Sequence, residues 1–341
     1  MSTDSSNTIA TARLGTGGPE VGVQGLGCMG MSHAYGTADA AGSRATLERA
    51  LELGVTLFDT ADVYGHGRNE EFLSPFVRAH REEITLATKF AIVRREDDPS
   101  FQEIRGDRAY IRQSVEGSLR RLGVGHIDLY YMHRRDLRVP IEETVAAMAE
   151  LVAEGKVRHL GLSEVSPNEL RAAHAVHPIA AVQSEWSLFS RDVEDGVVPA
   201  AKELGVAFVP YSPLGRGFLT GSFADADKDL GADDWRRTQP RFTGDNAAAN
   251  AALLEPLRRF AERRGVTPAQ LALAWVQQRA RVHGMTVVPI PGTTKRHRIE
   301  ENLAATRLVL TDAELAELEP IAGKVAGTRY PDMSFTAVGR D

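Results

Sequence analysis

Residues 107–133 read DRAYIRQSVEGSLRRLGVGHIDLYYMH, and the order of signals in that stretch decides the fold. Ile111, Val115, Leu119 and Leu122 recur at helical spacing and share one face. Asp107 is placed to cap the start of that helix and Gly123 to stop it. Ile127–Met132 follows as a short apolar run of strand type, ended by His133 and Arg134. A helix, a tight turn and a buried strand ending in reactive side chains form the repeat of an α/β chain with a parallel sheet.

Working outward, the same unit recurs from about residue 25 to about residue 305. Further strands are predicted at Leu26–Cys28, Val55–Phe58, Ile84–Thr88, Val157–Leu162, Ala181–Gln183, Val206–Val209 and Thr286–Pro289. Ser166-Pro167-Asn168-Glu169 is a capping box with proline at the first helical position, where its missing N–H costs nothing. Thr267-Pro268-Ala269-Gln270 and Thr311-Asp312-Ala313-Glu314 repeat the box. Pro75 predicts that the helix beginning near residue 68 is short or kinked.

Eight strand–helix units without a Pro-, Gly- or Ser-rich linker favour one closed (β/α)8 barrel over residues 11–325. Arg13–Val23, with Gly15-Thr16-Gly17-Gly18-Pro19 at its turn, predicts an N-terminal β-hairpin. Two extra helices, near 247–264 and 312–322, are surplus to the eight units. The stretch 215–246 is polar and long for a barrel loop, as lids are. Residues 1–10 read as a frayed tail, and 326–341 as a C-terminal tail whose segment 329–335 is available to shape the active site.

Composition narrows the function. The chain is 43% hydrophobic and 25% charged, which supports a large core. A net charge of −6 argues against a general nucleic-acid binder, which needs clustered basic surface. The single cysteine, Cys28, rules out an intramolecular disulfide and a thiolate zinc cluster. The first ten residues lack a basic start followed by an apolar run, and no stretch has the apolar length of a membrane helix. The expected compartment is the cytoplasm.

In a barrel of this type, function gathers at the C-terminal ends of the strands. Asp59 and Tyr64 follow the second predicted strand, Lys89 the third and His133 the fourth. Ser163 follows the fifth, Gln183 the sixth, Tyr211 and Ser212 the seventh, and Gly292 and Thr293 the eighth. Taken singly, each has an ordinary reading: a solvated lysine, a hydrogen-bonded histidine, an aspartate capping a helix. Taken together, they fall at one phase on consecutive strands and so on one rim.

A free tyrosine, with a pKa of about 10, is too weak an acid to exchange protons efficiently at neutral pH. An adjacent ammonium lowers that value, and Lys89 is the expected cation, with Asp59 holding it. His133 completes a cluster able to polarise a carbonyl oxygen. Hydride chemistry at such a site needs an organic cofactor, since no His/Asp/Glu grouping has metal-ligand spacing.

These segments resemble the aldo-keto reductases. The matching stretches are Phe58-Asp59-Thr60-Ala61-Asp62-Val63-Tyr64-Gly65, the strand end at Lys89, Leu129-Tyr130-Tyr131-Met132-His133-Arg134 and Gly155–Ser163. Others are Gln183–Ser187, Tyr211–Gly217 and Ile290–Lys295. The resemblance implies a catalytic tetrad of Asp59, Tyr64, Lys89 and His133, with Tyr64 as general acid in reducing an aldehyde or ketone. It implies that Ser163 and Gln183 hold a nicotinamide carboxamide and that Tyr211 stacks on its ring. Ser212, Pro213, Leu214, Gly215, Arg216 and Gly217 would wrap the pyrophosphate. Two positions depart from the pattern: Glu164 where many members have asparagine, and Gly292 where many have lysine. The phosphate grip then shifts to Thr293, Lys295 and Arg298.

Lys295, Arg298, Glu301 and Asn302 also recur at helical spacing on one face. Two cations at a helix start, beside free backbone N–H groups, suit a phosphate monoester, so NADPH is expected over NADH. Glu301 and Asn302 are then available to the adenine amino group. A solvated basic patch is the ordinary alternative.

Gly25-Leu26-Gly27-Cys28-Met29-Gly30 matches the dinucleotide-binding glycine fingerprint, which makes a doubly wound dehydrogenase a rival. No helical periodicity follows in residues 31–37, and Asp59 comes nearly thirty positions after Gly30 against about twenty expected. Met29, Gly30 and Met31 are instead expected to line the cleft, with Trp186, Phe90 and Arg134 as further pocket walls. Two other readings stay open: a nucleotide-binding barrel that senses without turnover, and a barrel lyase or isomerase with no need of nicotinamide.

Overall fold

The computed structural model describes residues 8–32, 36, 39–95, 97–98, 101–221 and 229–340. Seven parallel strands pair in chain order: Leu26–Gly27, Leu57–Asp59, Thr85–Phe90, Ile127–Met132, Val157–Ser163, Ile179–Glu185 and Ala207–Tyr211. The expected eighth strand closes the ring more sparsely. Val288 and Ile290 donate to the carbonyls of Phe208 and Pro210, and Gly25 donates to Pro289 O at 3.0 Å. Gly27 pairs with Gly292 on the same side. Pro289 and Pro291 have no N–H to give, which is why this strand is held by scattered pairings and not by a full ladder. The result is the (β/α)8 barrel.

Alternation at period two divides the strand residues between two cores. Leu57, Ala87, Leu129, Tyr131, Ala181, Ala207, Val209, Val288 and Ile290 pack together inside the barrel. Tyr131 fits because Gly161 faces it; a Cβ there would lie 2.4 Å from the ring. Phe90, Tyr130, Met132, Leu160, Leu162, Val182 and Phe208 point outward and pack under the helices. The predicted hairpin forms from Thr11–Arg13 and Glu20–Gly22, and its Leu14 and Val21 join the interior cluster as a plug.

Local signals set the helix ends. Asp107 accepts from Tyr110 N, and Gly123 adopts the left-handed C-cap at φ 69°. All three predicted capping boxes form, at Ser166, Thr267 and Thr311. Pro75 does not stop its helix, which runs unbroken from Arg68 to Ala79. The first surplus pattern is two helices, Gly244–Ala252 and Leu254–Arg264; the second is Asp312–Leu318 with a tight turn after it. A second hairpin, Ile92–Arg94 with Gln102–Ile104, was not anticipated.

Residues 1–7 lie outside the described residues, but Ile9 is buried and donates its N–H to Leu53 O at 3.1 Å. Of the expected lid, residues 222–228 likewise lie outside. The glycine fingerprint opens a single tight turn, Met29–Met31, and the next α-helix begins only at Ala40. Of the residues between, 33–35 and 37–38 are also outside.

Candidate active site

The inward phase of each strand continues into the candidate residues. Beyond Leu57 comes Asp59, beyond Ala87 Lys89, beyond Tyr131 His133, beyond Gly161 Ser163, beyond Ala181 Gln183 and beyond Val209 Tyr211. Parallel pairing sets Asp59 beside Ala87, Lys89 beside Tyr131 and Gln183 beside both Ser163 and Val209. The register therefore brings distant sequence positions onto one rim.

At its centre the fully buried Lys89 ammonium donates to Asp59 Oδ1 and to the Thr60 carbonyl at 2.8 Å. Gln183 Nε2 donates to the second Asp59 oxygen at 2.9 Å. Lys89 Nζ lies 5.3 Å from the centre of the Tyr64 ring, and the Tyr64 and His133 rings meet edge to face at 5.8 Å. The Tyr64 hydroxyl has no hydrogen-bond partner among the described residues. The four predicted residues thus form one cluster.

The electrostatics correct one expectation. Burial outweighs the expected effect of Lys89 on Tyr64: it pushes the phenol well above its ordinary value, and the Asp59 carboxylate adds to the effect. The lysine is already committed to Asp59 and Thr60, and burial draws its own pKa down. Burial also holds His133 well below the ordinary imidazole value, with Arg134 and Lys89 contributing, so the ring is neutral at pH 7. Its Nδ1 is buried without a partner. The site at neutral pH therefore offers a protonated phenol and an uncharged imidazole.

The remaining predicted residues divide. Ser163 is buried, and its Oγ accepts from Arg134 Nη1 at 3.3 Å. Met29 and Gly30 sit half-buried in the turn after the first strand, whereas Met31 is buried in the cluster that also holds Leu26, Leu47 and Phe76. Trp186 and Phe90 are also core: Trp186 is wedged against Phe208, and Phe90 stacks on Tyr130 at 5.1 Å. Their position one residue off the inward phase accounts for this.

Residues 212–217 have left-handed backbone at Ser212, Gly215, Arg216 and Gly217. Successive N–H groups in such turns form a concavity suited to anions. Pro213 is buried beneath it and Leu214 packs on the outer core. The Arg216 side chain donates to Glu185 Oε2 at 2.9 Å and to the Arg329 carbonyl at 2.5 Å, so it is the backbone of this residue that lines the turn. Gly292 is needed for the seam, because a Cβ would stand 2.9 Å from Gly27 O.

Lys295 and Arg298 are exposed at the start of the helix Arg296–Ala304, with no ion-pair partner among the described residues. No side chain caps that helix, and Lys295 N donates to Thr293 Oγ1. Asn302 is buried with its side-chain amide unpartnered among the described residues, while Glu301 accepts from Thr267 Oγ1 at 2.6 Å. Two free cations, an uncapped helix start and an open amide fit an adenosine 2′-phosphate.

Three further residues complete the rim. Glu164 and Arg329 form a buried ion pair, and Tyr330 lies 3.1 Å from the Tyr211 hydroxyl. The sequence marked Glu164 as a departure from the family pattern and the segment 329–335 as available to the site, but not the pairing between them.

A closed parallel barrel with an ion-paired lysine, an open tyrosine and a neutral histidine at its strand ends defines a barrel with an acid–base site. The chain belongs to the aldo/keto reductase family, whose model matches residues 25–322. It is 45% identical over 327 residues to probable aldo-keto reductase 1 of Glycine max, covering 94% of this chain and 92% of that protein. It resembles the solved glycerol dehydrogenase of Gluconobacter oxydans with a TM-score of 0.81 and 29% identity, covering 96% of this chain and 99% of that one. An aldo-keto reductase of Bacillus halodurans in its holo form gives 0.72 and 29%, covering 94% and 98%. The family comprises carbonyl-reducing oxidoreductases that use nicotinamide cofactors. No helix among the described residues is long and apolar enough to cross a membrane.

Proposed function

We propose that the protein reduces aldehydes or ketones to alcohols with NADPH, in the cytoplasm, and that Tyr64 gives the proton. The observation that carries this reading is the Asp59–Lys89 pair beside a phenol that is protonated and has no hydrogen-bond partner among the described residues. NADPH, when bound, would supply the hydride. Lys295 and Arg298 would hold its 2′-phosphate, Asn302 and Glu301 its adenine, and the backbone of 212–217 its pyrophosphate. Ser163 and Gln183 would meet the carboxamide, with the Tyr211 ring against the nicotinamide and Met29 and Gly30 lining the cleft.

The chain's own groups do the rest. With the Tyr64 and His133 rings edge to face at 5.8 Å, a carbonyl oxygen would accept from the Tyr64 hydroxyl and from the neutral His133 ring. The proton leaves the Tyr64 oxygen as negative charge builds on the substrate oxygen. Lys89 then faces a phenolate and stabilises it, while Asp59 and the Thr60 carbonyl keep the ammonium in place. Asp59 is in turn oriented by Gln183.

The test is Tyr64→Phe in an unbiased carbonyl screen run with NADPH and NADH in parallel. Loss of a general acid should lower kcat by about 10²–10⁴-fold while NADPH affinity, read by tryptophan fluorescence, stays nearly intact. Unimpaired turnover would refute the assignment. Tight NADPH binding by the unaltered protein with no turnover on any carbonyl would favour a sensor, and unchanged fluorescence on adding NADPH a lyase or isomerase.

A further inference from the structure

Position 164 lies next to the candidate carboxamide contact Ser163, yet its side chain is spent elsewhere. Glu164 is buried, at 1% exposure, and sits in the left-handed region at φ 51°. Its Oε1 accepts from Tyr211 OH at 2.7 Å and from Arg329 Nη1 at 2.9 Å. Its Oε2 accepts from Arg329 Nη2 at 3.2 Å and from Ala337 N at 3.1 Å. Its carbonyl takes Arg340 Nη2 at 2.6 Å. Although burial opposes it, the Arg329 and Arg134 guanidinium groups hold the carboxyl down at about 2. Apart from one longer bond to Oε1 from Glu185 N at 3.4 Å, the acceptor sites on this residue face the C-terminal segment or Tyr211.

The segment is fastened at its other end as well. Asn250 exchanges two hydrogen bonds with Ala326, each 2.9 Å, and Arg241 Nε donates to Gly327 O. Gly327, at φ +83°, sits so close to Pro240 that a Cβ would lie 3.1 Å from its carbonyl. Between these anchors the chain delivers Tyr330 onto the rim. Its hydroxyl lies 3.1 Å from Tyr211 OH and 3.5 Å from Arg134 Nη2, and its ring packs 4.4 Å from the Arg216 guanidinium.

We propose that residues 326–340 are a strap latched by Glu164, and that Glu164 is a positioning residue for the substrate wall and not a contact for the carboxamide. The latch works because the guanidinium, buried to 2% exposure, meets a carboxylate with both of its terminal nitrogens only at Glu164 among the described residues. Arg329 reaches Asp192 as well, but that carboxylate is 36% exposed and meets only Nη2. With the pair formed, Tyr330 is pinned over Tyr211 and beside Arg134, next to Tyr64 and His133. With the pair broken, the strap loses its central anchor while the barrel, its seam and the Asp59–Lys89 pair keep theirs. The substrate half of this inference rests on the carbonyl-reduction reading; the latch does not.

The test compares Glu164→Gln, Arg329→Met and Arg329→Lys with the unaltered full-length protein, first by chymotryptic cleavage after Phe335, a site all three variants keep, followed by mass spectrometry. Removing one partner of a buried pair should speed cleavage there by about thirtyfold or more, while melting of the barrel stays cooperative. Arg329→Lys, which keeps a cation, should fall between. For turnover, Glu164→Gln should raise KM for the carbonyl by about tenfold or more, yet leave NADPH affinity within about threefold. If the barrel of either Glu164→Gln or Arg329→Met fails to fold, hydrogen exchange of the 326–340 amides in Arg329→Lys carries the same comparison. The proposal is overturned if the strap keeps its protection in Glu164→Gln, or if that variant loses NADPH affinity with the strap still protected. Because cleavage is read without carbonyl, a failed carbonyl screen would count against the function and not against the latch.

Discussion

Gly27 and Gly292 meet backbone to backbone where the first and last strands of the barrel join, so that a Cβ on either would stand 2.9 Å from a main-chain oxygen of the opposite strand. Neither oxygen can retreat without moving a strand. Gly292→Ala should therefore cost about 1–3 kcal/mol. Urea unfolding measures this, with Gly17→Ala as the control, since a Cβ at Gly17 meets nothing within 4 Å. Equal stabilities for the two variants would mean that the seam is looser than described.

Breaking the central ion pair should be expensive in a second, separable way. Asp59 is 3% exposed and Lys89 fully buried, so Lys89→Met strands a carboxylate in the core. We expect a loss of about 3–5 kcal/mol from Lys89→Met, partly recovered when Asp59→Asn is added. The readout is a double-mutant cycle in denaturant. Strict additivity of the two changes would rule out the coupling.

The raised phenol and the lowered imidazole together fix a pH profile. Tyr64 is protonated at neutral pH and remains so above its ordinary value of about 10, and His133 is already neutral at pH 7. For carbonyl reduction, kcat/KM should stay flat from about pH 7 to about pH 9, with no protonic limb at about 6.5 from the histidine. A fall in rate as pH rises through about 7–8 would mean that the Lys89 ammonium outweighs burial at the tyrosine.

Lys295 and Arg298 supply the cofactor prediction. Replacing both with alanine should weaken NADPH by about one to two orders of magnitude and NADH hardly at all, the phosphate being the only group lost between them. Equilibrium fluorescence titration with each nucleotide decides it. Equal losses would put the phosphate site elsewhere.

Much of this was readable before any coordinate, for reasons that differ from residue to residue. Caps such as Ser166 with Glu169 are local: donor and acceptor are three residues apart, so the sequence contains the whole interaction. Strand ends such as Lys89 and His133 were readable because a period of two carries the inward face forward without regard to distant partners. Glu164 was not readable in the same way. Its partner Arg329 lies 165 positions away, and nothing in spacing selects that arginine over its neighbours. The pairing of the Arg216 side chain with Glu185, 31 positions away, was unreadable for the same reason. Trp186 and Phe90 were misassigned to the pocket because an aromatic beside a reactive residue looks like a wall, whereas one step along a strand reverses its face.

The alternating prolines of the last strand bear on how the molecule comes together. Each earlier strand finds its neighbour one helix away in the chain, so the sheet can grow in the order of synthesis. Joining the last strand to the first means bringing together segments separated by most of the sequence, at the full cost of closing that loop. With Pro289 and Pro291 unable to donate, little main-chain bonding repays the step, and apolar packing of Val288 and Ile290 inside the ring must drive it. Circularisation of this barrel is therefore a late event, governed by how well its interior fills.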